Sequence, residues 1–150
     1  MKRYLIITLM LVSLFVISGC EKVNEGKYKE GTYYGSVIDN YGGSQNLATA
    51  VIYIDSNGLI KSVFLDTVYQ KDGINTTKKA LGNDYGMKER SESGKEWYEQ
   101  VNLIENKVIE NQDISFITID DNGKTDTIAG VTMKIDSLYQ ALNKALEQAK

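Results

Sequence analysis

From Thr32 onward the apolar positions of the chain first alternate and then recur at helical spacing. "TYYGSVI" (Thr32–Ile38) has strand composition, and "LATAVIYID" (Leu47–Asp55) sets Leu47, Val51 and Tyr53 on one side and Ala50, Ile52 and Ile54 on the other. "SNG" (Ser56–Gly58) marks a reversal, since Asn and Gly tolerate the positive φ of a tight turn, and "LIKSVFLDTVYQ" follows as the partner strand. The pattern predicts three antiparallel strands in a meander. Residues 71–92 are polar and glycine-punctuated, and read as a structured loop with a short helical turn around Thr76–Leu81. Next, "SGKEWYEQVNLIENKVIENQ" predicts a helix: Ser93 and Glu96 have the spacing of a capping box, and Trp97, Val101, Ile104 and Val108 form its packing face. "ISFITID" (Ile114–Asp120) reads as a fourth strand or extended segment, and "DNGK" as a turn. A final helix is expected over Lys134–Ala149, with a stripe through Ile135, Leu138, Tyr139, Leu142, Ala145, Leu146 and Ala149. The predicted class is α+β, an antiparallel meander sheet packed against two main helices.

The N-terminus follows a different rule. Lys2 and Arg3 precede an almost wholly apolar run, Tyr4–Ile17, too short for a spanning helix and closed by small residues. Residues 1–19 therefore read as a signal peptide, 20–30 as a polar tether and 31–150 as one domain. Ile17, Ser18, Gly19 and Cys20 resemble a bacterial lipobox. That resemblance implies cleavage before Cys20, lipidation of its thiol, and a mature protein anchored at the extracytoplasmic face of the cell membrane.

Composition then removes several kinds of chemistry. Without Lys2 and Arg3 the 17 basic residues fall to 15 against 20 acidic ones, a net charge near −5, so no nucleic-acid groove is expected. The chain has one cysteine and no histidine. Ser-His and Cys-His catalysis and imidazole metal sites are thereby excluded. The acidic pair Asp120 and Asp121, and Asp55, Asp66 and Asp72, match no calcium-loop spacing and read as turn residues, so no metal site is expected.

One stretch fits no packing pattern. In "DTIAGVTMKI" (Asp126–Ile135) the large apolar residues follow neither period, and Thr132 falls just ahead of the final helix pattern. Gly130 permits close backbone approach, Ala129 leaves space, and a helix N-terminus suits a phosphate. The same pattern also describes an ordinary threonine N-cap after a glycine turn.

Several elements together resemble the FMN-binding domain found in extracytoplasmic bacterial lipoproteins and in peripheral flavin subunits of membrane redox complexes. They are Lys29, Gly31, Thr32 and Tyr33; the pair Gly42 and Gly43; Gly58, Leu59 and Ile60; Asp66 and Val68; Tyr85, Gly86 and Met87; and Asp126 with Ala129, Gly130, Val131 and Thr132. The resemblance implies that a flavin transferase takes FMN from FAD and joins its phosphate to the Thr132 hydroxyl, with Asp126 positioning the loop or serving recognition. It departs from the family at Val131, where alanine is usual, so that a stiffer side chain stands beside the acceptor. Tyr85 and Met87 are candidates for contact with the flavin ring. The resemblance further implies an electron carrier rather than a self-contained catalyst, fed by a quinol-linked membrane donor and passing electrons to an acceptor that the residues do not identify. The alternative is a non-redox lipoprotein that binds a small ligand and keeps the fold without the flavin.

Overall fold

The computed structural model describes residues 26–40 and 45–150. The signal segment, Cys20, the first part of the tether and the Gly42–Gly43 pair lie outside the described residues.

The domain is α+β. Strands β1 (Gly31–Asp39), β2 (Asn46–Ile54), β3 (Ile60–Lys71) and β4 (Ile74–Thr77) form an antiparallel sheet in the order β1-β2-β3-β4. Tyr34 pairs with Val51 and Val51 with Phe64, a register that sends Ala48, Ala50, Ile52 and Ile54 inward, where all four are fully buried. The alternation read in β2 is therefore the division between core and outer face.

β4 replaces part of the expected loop. Asp72 and Gly73 both have positive φ, 52° and 79°, and Lys71 pairs with Ile74 across them. These are the requirements of a two-residue type I′ hairpin. Helix α1 (Lys78–Leu81) follows, capped by the Thr77 side chain, which accepts the Ala80 N–H at 3.1 Å.

Helices α2 (Trp97–Asn111) and α3 (Asp136–Glu147) are the two long ones. α2 runs along β3: Glu105 Oε1 accepts the Leu65 N–H at 2.6 Å, and the Gln112 amide exchanges hydrogen bonds with the N–H and C=O of Ile60. α3 lies across β1 and β2. Its Ala141 carbonyl stands 2.0 Å from where a Cβ on Gly35 would be, so only glycine lets the helix come this close.

Two expectations need correction. Ile114–Asp120 is not a strand: Ile114 and Ile117 are buried and linked by an i to i+3 hydrogen bond, a turn that docks apolar side chains without pairing to the sheet. The capping box is set three residues later than expected. Glu96 is the N-cap of α2 and its N–H donates to Glu99 Oε2 at 2.8 Å, whereas Ser93 Oγ bonds Ser91 Oγ at 3.0 Å.

Among the described residues no helix is long and apolar enough to cross a membrane.

Candidate functional site

The residues of "DTIAGVTMKI" come together as the wall of a cleft. Ile128–Val131 is a β-turn closed by the Val131 N–H on the Ile128 carbonyl at 3.1 Å, with Gly130 at φ +85° in its third position. A positive φ there and a negative one at Ala129 define a type II turn, which explains the glycine. The turn delivers Val131 inward, 4% exposed, and leaves Thr132 half-buried at the cleft.

A fully buried glutamine holds that segment. Gln100 of α2 receives the Thr132 N–H at 2.8 Å and the Met133 N–H at 3.2 Å on its Oε1. Its Nε2 donates to Ser91 Oγ at 2.9 Å and to the Lys95 carbonyl at 3.3 Å. Both ends of the amide are thus used, and they fix two segments against each other. Thr132 Oγ1 lies 3.4 Å from Ser91 Oγ, a long contact.

The cleft, about 510 Å³, is lined by Glu92, Thr118–Asp120, Lys124–Asp126, Val131 and Thr132. That volume is within the range of small-molecule sites. Asp120 and Lys124 are the two ends of a turn in which Asp120 Oδ1 accepts the N–H groups of Lys124 at 2.8 Å and Asn122 at 2.9 Å. These donors, that of Lys124 first, hold the Asp120 carboxyl below the usual range. Lys124 Nζ pairs with Glu92 Oε1 at 3.2 Å across the rim. Three carboxylates, from Glu92, Asp120 and Asp126, face one ammonium. Among the described residues no group of acidic or sulfur ligands is arranged to hold a metal ion.

Thr132 is not a helix cap. α3 begins at Asp136 with Ile135 as its N-cap, and the Ile135 N–H is tied to the Gly123 carbonyl at 2.7 Å. A phosphate on Thr132 would therefore lie four residues ahead of the helix, not on its first turn as expected. The amide groups that could have received it, those of Thr132 and Met133, belong to Gln100.

Of the site residues read from sequence, Asp126, Val131 and Thr132 line the cleft and Ala129 and Gly130 form the turn beside it. Tyr85 and Met87 do not line it. The Tyr85 ring meets Tyr69 edge-on at 5.3 Å and Trp97 at 6.5 Å, beside the buried Lys78, whose Nζ is 5.6 Å from the Tyr85 ring centre and 5.5 Å from that of Trp97. Burial pulls the Lys78 ammonium below its ordinary range, while Asp39 and Asp66 oppose that. Met87 is half-buried against the core and its N–H goes to Glu96 Oε2 at 2.9 Å. Both are packing residues here. Gln100 and Ser91 escaped the sequence reading, although Gln100 is a polar residue set within the apolar stripe of α2.

No family model matches the chain, and no curated protein matches it. It is similar to a protein of Clostridium thermocellum whose solution NMR structure is known, with 31% identity and a TM-score of 0.54, over 80% of this chain and 91% of that one. At that identity and coverage, the chain belongs to the same family as the clostridial protein.

Proposed function

We propose that the chain is a membrane-anchored, extracytoplasmic flavoprotein that carries electrons, with FMN joined through its phosphate to Thr132. The observation that carries this reading is the convergence of Asp126, Val131 and Thr132 on one cleft, with a threonine hydroxyl that caps nothing. The turn geometry suits an acceptor hydroxyl, while the lining offers the phosphate one ammonium, that of Lys124, already paired with Glu92. Gly130 turns the chain so that Thr132 reaches the cleft, Gln100 fixes the acceptor's backbone, and the Val131 side chain is buried in the core. Val131 thus packs in the core while also lining the cleft wall beside Thr132.

Thr132 Oγ1 would replace AMP on the FMN phosphate of FAD and release its proton, in a reaction run by a flavin transferase. The flavin, when bound, supplies one- and two-electron transfer, and the protein supplies its position and surroundings. The acidic lining disfavours a freely exchanging phosphate, which argues for the covalent bond over loose binding. A quinol-linked membrane donor and a separate acceptor complete the reading, with Cys20 as the lipid anchor.

The test is co-expression with a flavin transferase, followed by intact mass and in-gel flavin fluorescence. A mass gain of one FMN moiety that vanishes in Thr132→Ala is expected. An unmodified, non-fluorescent protein that also fails to bind free FMN would overturn the reading and favour a non-redox binding lipoprotein.

A further inference from the structure

The outer face of the sheet has no counterpart in the mechanism. Both long helices pack on the inner side and along its margins, and α1 covers only the corner at Asp66. Across the strands Tyr34, Val51 and Phe64 form one row, Ile38 faces Leu47 in another, and Tyr53 stands between Thr32 and Ser62. Tyr34 and Ile38 are each 51% exposed and Phe64 48%. On this face of β1, β2 and β3 the residues charged at neutral pH are Asp66, which is buried and accepts the Lys79 N–H at 3.0 Å, and Lys61, exposed in the bulge opposite Tyr53 and Ile54 at the margin of the face. A face whose exposed centre is aromatic and aliphatic, with its exposed charge confined to the Tyr53 end, is a candidate interaction surface.

Strand addition is not how the β1 side of it is used. The outer edge of β1 is occupied by α3, with Lys144 Nζ on the Ser36 carbonyl and Gln148 Nε2 on that of Tyr34. A second copy is a poor fit as well. Three strands about 4.8 Å apart and six residues long cover roughly 300 Å², well under the roughly 800 Å² per partner of a stable interface.

The start of the chain points to a different occupant. The Gly26 N–H donates to the Asn57 carbonyl at 2.6 Å, which pins the tether to the β2–β3 turn, at the Tyr53 end of the face. Cys20 is six residues earlier, a reach of about 20 Å when extended. From Tyr53 to Leu47 the face is about as long, roughly 20 Å. We propose that this aromatic face lies on the lipid surface, so that the anchored domain rests side-on against the membrane. The inference rests on the lipid-anchor part of the reading above. Tyrosine suits it, with an apolar ring and a hydroxyl that stays among headgroups. Lys79 Nζ, 4.3 Å from the Phe64 ring centre, is paired with Glu105 and largely buried, so it leaves no free charge beside the ring. Because the mature chain is acidic overall, contact is driven by apolar burial, and added salt should not release it.

The test uses protein made from the whole chain in a bacterium that processes lipoproteins, reconstituted into phosphatidylcholine–phosphatidylglycerol vesicles with brominated acyl chains. Phe64→Trp and Tyr53→Trp place reporters on the face, and Lys107→Trp places one on the exposed side of α2; the single native tryptophan, Trp97, is buried and common to all. Both face reporters should lose most of their added emission to bromine and shift to the blue, with no change on raising salt, while the Lys107 reporter keeps its own. Equal emission from all three in brominated and plain vesicles would overturn the docking. Failure of the anchor is read separately. If the mass shows no lipid on Cys20, its thiol is coupled to a maleimide headgroup in the same vesicles, and the face reporters still decide.

Discussion

Replacing Gln100 with leucine should both destabilise the domain and loosen the acceptor threonine. The side chain is fully buried, and its Oε1 is the acceptor for the N–H groups of Thr132 and Met133. Leucine fills a similar volume but leaves both donors without a partner. An unsatisfied buried donor costs about 1–3 kcal/mol, so the pair, offset by some apolar gain, should cost about 3 kcal/mol. For a domain of this size that is roughly 10 °C of melting temperature. Urea denaturation gives the stability, and hydrogen exchange followed by NMR gives the protection of the two amides. Both amides should exchange far faster than those in the middle of α2, and, if Thr132 carries flavin as proposed, its loading should fall even at temperatures where the variant is folded. A variant within about 0.5 kcal/mol of wild type, the scatter of ordinary surface changes, with both amides still protected, would refute the clamp.

Gly35→Ala should cost about 3 kcal/mol in urea denaturation, because the new Cβ would stand 2.0 Å from the Ala141 carbonyl and 2.8 Å from the Ala145 nitrogen, backbone atoms that cannot move aside; a neutral result would mean that α3 does not cross β1 there. Gly130→Ala forces a side chain to φ +85°, about 1–2 kcal/mol by the usual left-handed penalty. Its Cβ would otherwise meet only the ends of Leu103 and Lys95, which can yield, so calorimetry should report the backbone term and intact mass a drop in flavin loading. Asp113→Asn should change the acid limb. Burial alone would raise the Asp113 pKa, but the Lys27 ammonium at 2.5 Å and the N–H groups of Ile114 and Ser115 bring it down to about 2. A depressed folded pKa gives stability that is present above the ordinary 3.8 and lost as pH falls towards about 2. With Asp113 33% and Lys27 52% exposed, solvent screening leaves about 1 kcal/mol. In urea titrations at a series of pH values the gap between wild type and variant should close over that window; a gap constant with pH would refute the assignment.

How legible each part was depended on whether its signal was local. β1, β2, β3 and the long helices were readable because alternation and helical stripes lie within single segments. β4 had a local signal too, the Asp72-Gly73 pair, but the polar strand beyond it, Ile74–Thr77, has no buried face to alternate against. Ile114–Asp120 misled for the opposite reason. It has strand composition, but the edge of β1 is taken by α3 and that of β3 by α2, so its isoleucines dock from a turn. Composition says what a segment prefers; tertiary packing decides whether a partner is open to it. The capping box shifted because two overlapping acidic residues compete for the cap, and Glu96 also answers the N–H groups of Met87 and Lys88. As for the cleft, the Thr132 motif was visible as a stretch that fits no packing pattern. Its clamp was not, since Gln100 and Thr132 are 32 residues apart and nothing in either segment announces the other.

The placement of the cleft follows from the direction of the two helices. α3 ends where the Lys29 N–H meets the Ala149 carbonyl, and α2 ends where Gln112 meets Ile60, both beside the point at which the tether joins the sheet. Their first turns therefore share the opposite end, and there the Gln100 clamp, the Gly123–Ile135 bond and Thr132 are found. A 12-residue helix such as α3 spans about 18 Å, so a domain standing upright on its tether would hold the cleft at least that far from the lipid. Lying on the outer face of its sheet, the same domain brings both ends to a similar height. If the proposed anchor and flavin site hold, the aromatic face and the cleft belong to one arrangement, in which the anchor end and Thr132 would both stay within lateral reach of a membrane redox partner.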